Sequence, residues 1–161
     1  MINQGARRAA RSLDALRRGW PVRIAAGEGV ALDLLAIESS DDLSLSDFAA
    51  AAPVDILLSG ERAVTLKLTN QRPAASPGPV RIAGEGRSHS AAFAIADPSL
   101  DLATPLKGPF TTLPTGSDEA AAAAMTLVRH AGLLPAFFVR TASDSPAETI
   151  CDAADIATLV D

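Results

Sequence analysis

At 161 residues and a formal net charge of −5, the chain fits one domain large enough for a real core, and its mild acidity argues against nonspecific nucleic-acid binding. A single cysteine, Cys151, excludes an internal disulfide framework and makes a reducing cytoplasm the expected location. No apolar run reaches signal-peptide or membrane-span length, and one Trp with no Tyr leaves little aromatic surface for stacking bases or sugars.

Periodicity predicts an amphipathic helix over residues 6–18, with Ala6, Ala9, Ala10, Leu13 and Leu16 on one face and Arg7, Arg8, Arg11, Arg17 and Arg18 largely on the others. Gly19-Trp20-Pro21 stops it. Val22-Arg23-Ile24 begins a strand, and residues 31–38 (ALDLLAIE) form a second, buried strand that ends at a polar turn. A helix over residues 44–52, capped by Ser44 or Ser46, precedes a buried strand at Ile56-Leu57-Leu58. After a turn at Ser59-Gly60, Glu61-Arg62 opens another helix.

The Pro-rich residues 71–79 read as a surface excursion, either a flexible loop or the seam between two lobes. Gly27-Glu28-Gly29 and Gly84-Glu85-Gly86 read as hairpin turns, because G-x-G alone is a weak phosphate signature and neither precedes an evident helix start. His89, between two serines, reads as a solvated loop residue. The strongest signal is residues 119–141, EAAAAAMTLVRHAGLLPAFFVRT. Ala, Met and Leu favour a helix, Gly132 supplies the left-handed stop, Pro135 blocks resumption, and an apolar strand follows. His130 falls in the last helical turn, where a cation suits the carbonyl end of the dipole, and reads as a half-buried helix-end residue rather than a ligand. Cys151 has no neighbouring histidine and reads as a small buried hydrophobe.

In this order, four segments resemble 3,4-dihydroxy-2-butanone 4-phosphate synthase, the riboflavin-pathway enzyme that converts ribulose 5-phosphate to a four-carbon ketone phosphate and formate. They are the helix ending Ala15-Leu16-Arg17-Arg18-Gly19 with its following strand, Gly60-Glu61-Arg62 with its Leu66-Lys67-Leu68 exit, residues 101–107 (DLATPLK), and residues 119–141. The resemblance implies an α/β (α+β sandwich) architecture, a shortened synthase-like fold, and homodimerisation. It also implies that the chemistry is gone. The family's last helix opens Gly-His-Thr-Glu and the strand beyond ends in Glu. Counted from Gly132, the His falls on Ala120, the tetrad's Glu on Ala122 and the strand-end Glu on Thr141. None of these replaces an imidazole or carboxylate ligand of a divalent metal. The family's acidic loop, Arg-Glu-x-Glu-Gly-Asp, is here Ala25-Ala26-Gly27-Glu28-Gly29-Val30, and its Thr-Gly-rich substrate loop has no counterpart.

More specifically, Arg17-Arg18-Gly19-Trp20-Pro21, Thr65-Leu66-Lys67-Leu68 and residues 101–110 (DLATPLKGPF) resemble the degenerate synthase-like domain that precedes the catalytic domain of certain bacterial GTP cyclohydrolases II. That resemblance implies a noncatalytic domain over residues 1–146 and a C-terminal strand or linker over residues 147–161. The linker would lead toward a cyclohydrolase domain outside this chain, the partner that opens GTP to a diaminopyrimidine, formate and pyrophosphate. Zinc is expected only in that partner, because its site takes three cysteines and this chain has Cys151 alone. No catalytic residue, cofactor, nucleic acid or membrane is expected for this chain itself.

Arg62, Lys67, Arg72 and Lys107 fall near segments that surround the sugar phosphate in the synthase. They are candidates for a vestigial anion pocket, weighed against an ordinary solvated surface. Two other readings stay open. One is a free-standing regulatory domain that binds a small molecule or phosphate in the old pocket. The other is a divergent metal-dependent ribulose 5-phosphate enzyme recruiting Glu28, Asp33 and Glu38, although odd spacing puts Asp33 and Glu38 on opposite faces of a strand.

Overall fold

Successive residues of a strand point to opposite faces of its sheet, so four consecutive apolar residues, Ala136-Phe137-Phe138-Val139, demand burial on both sides. They receive it. In the computed structural model, which describes residues 4–27, 30–50, 52–68, 78–103, 109–142 and 147–159, this segment lies in the central strand of a seven-stranded mixed sheet.

The elements in chain order are α1 (Gln4–Arg17), β1 (Val22–Ala25), β2 (Leu32–Ala36), α2 (Asp42–Ala49), β3 (Asp55–Leu58), α3 (Gly60–Thr65), β4 (Val80–Ile82), α4 (His89–Ala96), β5 (Thr112–Leu113), α5 (Asp118–His130), β6 (Ala136–Thr141), β7 (Ile150–Asp152) and α6 (Ala153–Ile156). The sheet runs β5-β4-β3-β6-β2-β1-β7. All pairings are antiparallel except β1 with β7.

Each face of the sheet carries its own core. Phe137 and Val139 join Leu32, Leu34 and Leu57 beneath α1, α5 and α6. Phe138 joins Leu35, Ile37, Ile56, Leu58 and Ile82 beneath α2, α3 and α4. Helix α5 sits directly on the first face because Ala120, Ala121 and Ala124 bring no bulk between helix and sheet, and all three are fully buried. Ser117 caps it by accepting from the Ala120 amide (3.1 Å), and Gly132 ends it at φ +77° with Leu133 donating back to the Val128 carbonyl (3.2 Å).

Three expectations need correction. Helix α2 is capped by Asp41 rather than Ser44 or Ser46: its carboxylate accepts from both the amide (2.8 Å) and the hydroxyl (2.9 Å) of Ser44, and the helix ends at Ala49. Strand β4, for which no element was expected, is buried at every position. Gly84-Glu85-Gly86 is not a hairpin turn but joins β4 to α4, whose cap, Ser88, accepts from Ala91 (3.2 Å). His89 is therefore the first residue of a helix, half-buried, with its ring Nε2 on the Ile37 carbonyl at 2.8 Å and the rings of Phe93 and Phe138 about it. Gly27, by contrast, does lie between two antiparallel strands as a hairpin turn requires; Glu28 and Gly29 fall outside the described residues.

Residues 147–159 are packed into the domain. Strand β7 forms one sheet edge with Cys151 buried, and α6 lies against α1 and α5. Asp155 ties α6 to α1 by accepting from Arg8 Nε (2.7 Å) and Nη2 (3.0 Å). The Arg8 guanidinium holds the Asp155 carboxyl below its ordinary value.

Two outcomes follow from this packing. A Cβ on Gly84 would lie 1.9 Å from the Val54 carbonyl oxygen, so Gly84→Ala should lower stability by about 3 kcal/mol in denaturant unfolding. Because the Asp155 value is depressed in the folded state, its stabilising effect is complete above the unfolded value of about 3.9 and is lost as pH falls through the folded value. Asp155→Asn should therefore lower the denaturation midpoint at pH 7, and the gap to the parent protein should close in acid.

Candidate functional site

The turn after β1, the start of α5 and the end of β6 are the three places where the resemblance locates metal ligands. The fold gathers them at one end of the sheet. Thr141 pairs with Leu32, just beyond the β1–β2 turn, and a Cβ on Gly116, which precedes α5, would lie 3.4 Å from Leu32 and 3.3 Å from Val30. Gly27 approaches α5 itself, since a Cβ there would meet the Glu119 carboxylate at 3.4 Å. Ala25, Ala26, Gly27, Glu119, Asp152 and Ala153 line a recess of about 270 Å³.

The recess is poor in ligands. Ala120 is wholly buried against the sheet, Ala122 faces away on the exposed side of α5, and Thr141 is exposed. Glu119 and Asp152 are the only carboxylates lining the recess among the described residues, and no three His, Cys, Asp or Glu side chains converge anywhere among them. A hard divalent cation takes six or more oxygen ligands, so the donor set present does not fit the metal that the synthase resemblance implies.

The remaining candidate carboxylates are committed elsewhere. Asp33 is buried on the opposite face of the sheet and accepts from Arg23 Nε (2.7 Å) and Nη2 (3.2 Å) and from Arg140 Nε (3.2 Å). Arg140 in turn donates to the Phe48 carbonyl and lies over the Phe48 ring, 4.2 Å from its centroid. Glu38 is exposed and accepts from the Leu134 amide at 2.7 Å. Asp33 and Glu38 are thus not brought together, and Glu28 lies outside the described residues.

Of the anion-pocket candidates, Arg62 is buried and already paired. It grips Asp101 with both amino groups (2.9 and 2.7 Å) and donates Nε to the Ile95 carbonyl (2.8 Å), clamping α3 to the end of α4. Lys67 is exposed on backbone at φ 61°, and Arg72 and Lys107 lie outside the described residues. His130 is exposed, and the open carbonyls at that helix end are met by Arg17, which donates to Ala131 (3.0 Å) and His130 (3.2 Å). Cys151 is buried beneath α1, and burial raises its thiol above the ordinary value, which disfavours the nucleophilic thiolate.

The ion pairs across the sheet were not foreseen. Their signal was present as single ionisable residues inside apolar strands, Arg23, Asp33 and Arg140, which the antiparallel register sets side by side. Register is a long-range property, and residue spacing does not carry it.

No family model matches the sequence, and no curated protein matches it. Solved structures do. The chain is similar to 3,4-dihydroxy-2-butanone 4-phosphate synthase of Candida albicans at 17% identity, covering 94% of this chain and 96% of that one with a TM-score of 0.60. A cation-free structure of a 3,4-dihydroxy-2-butanone 4-phosphate synthase matches at 16% identity, 94% and 95% coverage and a TM-score of 0.62. RibBX, a two-domain 3,4-dihydroxy-2-butanone 4-phosphate synthase from A. baumannii, matches at 17% identity and a TM-score of 0.57, with 92% of this chain covering 56% of that one. The fold is that of the synthase.

If Asp33 is the counter-charge of two partly buried guanidiniums, Asp33→Ala should cost about 3 kcal/mol in denaturant unfolding, because Arg23 and Arg140 are left without it. Added magnesium should leave both the parent and the variant midpoints unchanged.

Proposed function

We propose that this chain is a noncatalytic synthase-like domain that accompanies a GTP cyclohydrolase II domain in riboflavin biosynthesis. One observation carries the loss of activity: the positions where the synthase resemblance puts a histidine and two glutamates hold Ala120, Ala122 and Thr141, and the recess at that end of the sheet is lined by two carboxylates among the described residues. A single buried thiol offers no zinc site, so the zinc and the GTP chemistry belong to the partner. The A. baumannii protein supports a multidomain setting to the extent that it is a two-domain synthase of which this chain covers 56%.

The role assigned to the chain is structural, as a folded neighbour and dimerising unit in a reducing cytoplasm. No described helix is long and apolar enough to cross a membrane.

Purified chain supplied with ribulose 5-phosphate and magnesium should release no formate above the protein-free control, measured by proton NMR. Metal-dependent formate release would overturn the noncatalytic reading. The coding sequence read past the Asp161 codon should continue into a domain with three clustered cysteines, and a stop codon there would overturn the cyclohydrolase assignment.

A further inference from the structure

On the second face of the sheet, α2 leaves a gap. Phe48 is its one buried residue, while Asp42, Leu45, Ser46 and Ala49 recur at three- and four-residue steps and share a different side. That side does not close onto the sheet. Between it and the turn that joins β4 to α4 lies a cavity of about 570 Å³, floored by Val54, Ile56 and Phe138. This volume falls within the range of small-molecule sites, and the cavity sits across the sheet from the recess at α5.

The far wall is held in place before any ligand arrives. Gly84 packs against the Val54 carbonyl so closely that only glycine fits, and its amide donates to Asp55 at 3.1 Å. Arg87 closes the turn, with its amide on the Gly84 carbonyl (3.0 Å) and its guanidinium on the Ala83 carbonyl (2.7 Å). Glu85, at φ 53°, is retained in a conformation that residues with a Cβ rarely adopt.

Charge selects among occupants. Asp55 is neutralised by Arg81 at 2.8 Å, and Glu85 accepts at 3.0 Å from Arg87 and so occupies the one cation lining the cavity among the described residues. Asp42 has no hydrogen-bond or ion-pair partner among the described residues, and neither has the Ser46 hydroxyl one turn along. The cleft therefore offers an apolar floor and one uncommitted carboxylate beside a hydroxyl. An anionic ligand would meet Asp42 with no free cation among the described lining residues to offset it, whereas an ammonium group would be paired there.

We propose that this cleft binds a small primary amine with an aromatic or branched aliphatic body, the body lying on Leu45, Ile56 and Phe138 and the ammonium group on Asp42. The proposal is independent of the cyclohydrolase reading, since it uses neither the α5 recess nor a second domain.

Phenethylamine, 2-phenylethanol and phenylacetate, three probes of one shape and different charge, test it by titration into the full chain with methyl NMR detection. Phenethylamine should shift the methyl signals of Leu45, Val54 and Ile56 and bind about three- to fivefold more tightly than the alcohol, the advantage expected of one exposed ion pair, with phenylacetate weakest. Asp42→Asn should remove the amine's advantage and leave the alcohol's affinity unchanged. Ala49→Phe, on the exposed rim of α2, should fill the cleft and abolish both. Equal affinity for the three probes would overturn the amine assignment, and absence of shifts at those methyls would overturn the site. Should Ala49→Phe fail to fold, the Asp42→Asn comparison decides alone.

Discussion

The whole structure depends on β6 being buried on both faces. Phe137 and Phe138 are adjacent in sequence, yet they anchor two separate cores, because a strand sends neighbours to opposite sides. Strand β6 is also the hinge of the hydrogen-bond network, pairing with β2 on one edge and β3 on the other. Helix α5 delivers it: the helix lies on the face that Phe137 enters, Gly132 turns the chain, and the strand begins at once. With β6 fixed, the remaining strands have places to add, and the helices have two apolar surfaces to cover.

The charges inside this frame work as fasteners. Asp33 sits between Arg23 and Arg140, Asp55 is held by Arg81, and Arg62 grips Asp101. A carboxylate whose oxygens accept from guanidinium groups has few lone pairs left for a hard cation, and a guanidinium held on both amino groups is a weak trap for phosphate. The synthase fold is thus present while its polar residues serve packing. Burying such pairs is costly unless each partner is satisfied, and no buried side-chain nitrogen or oxygen among the described residues lacks a partner.

Local signals carried much of the fold. The run from Ala120 to Val139 combines helix propensity, a glycine stop and a continuous apolar strand, and each of these is legible within a few residues. The same holds for α1, β1, β2 and β3. Reading failed where an element is stabilised from afar. Strand β4 is only Val80–Ile82, bounded by Pro79 and Gly84, so nothing local signals a strand, and its identity comes from pairing with β3 and β5. Helix α4 follows two residues at positive φ, Glu85 and Gly86, which looked like a turn and nothing more. His89 looked solvated beside serines because nothing nearby announces that Ile37, more than fifty residues earlier, supplies its hydrogen-bond acceptor. Near α5 the identity of Ala120 and Ala122 is legible from the sequence itself, whereas the partners of Asp33 and Arg62 required the fold.

The pairing of β1 with β7 and of Arg8 with Asp155 has a kinetic side. These contacts join positions separated by well over a hundred residues, 147 in the case of the ion pair. Closing so long a loop costs little more free energy than closing one half its size, but such nonlocal contacts slow the approach to the native state. During synthesis α1 is made before its partners α5 and α6, with Ala9, Ala15 and Leu16 ready for burial. Helix α1 must therefore wait until more than a hundred further residues are made, and in that interval its apolar stripe needs shelter from other nascent chains.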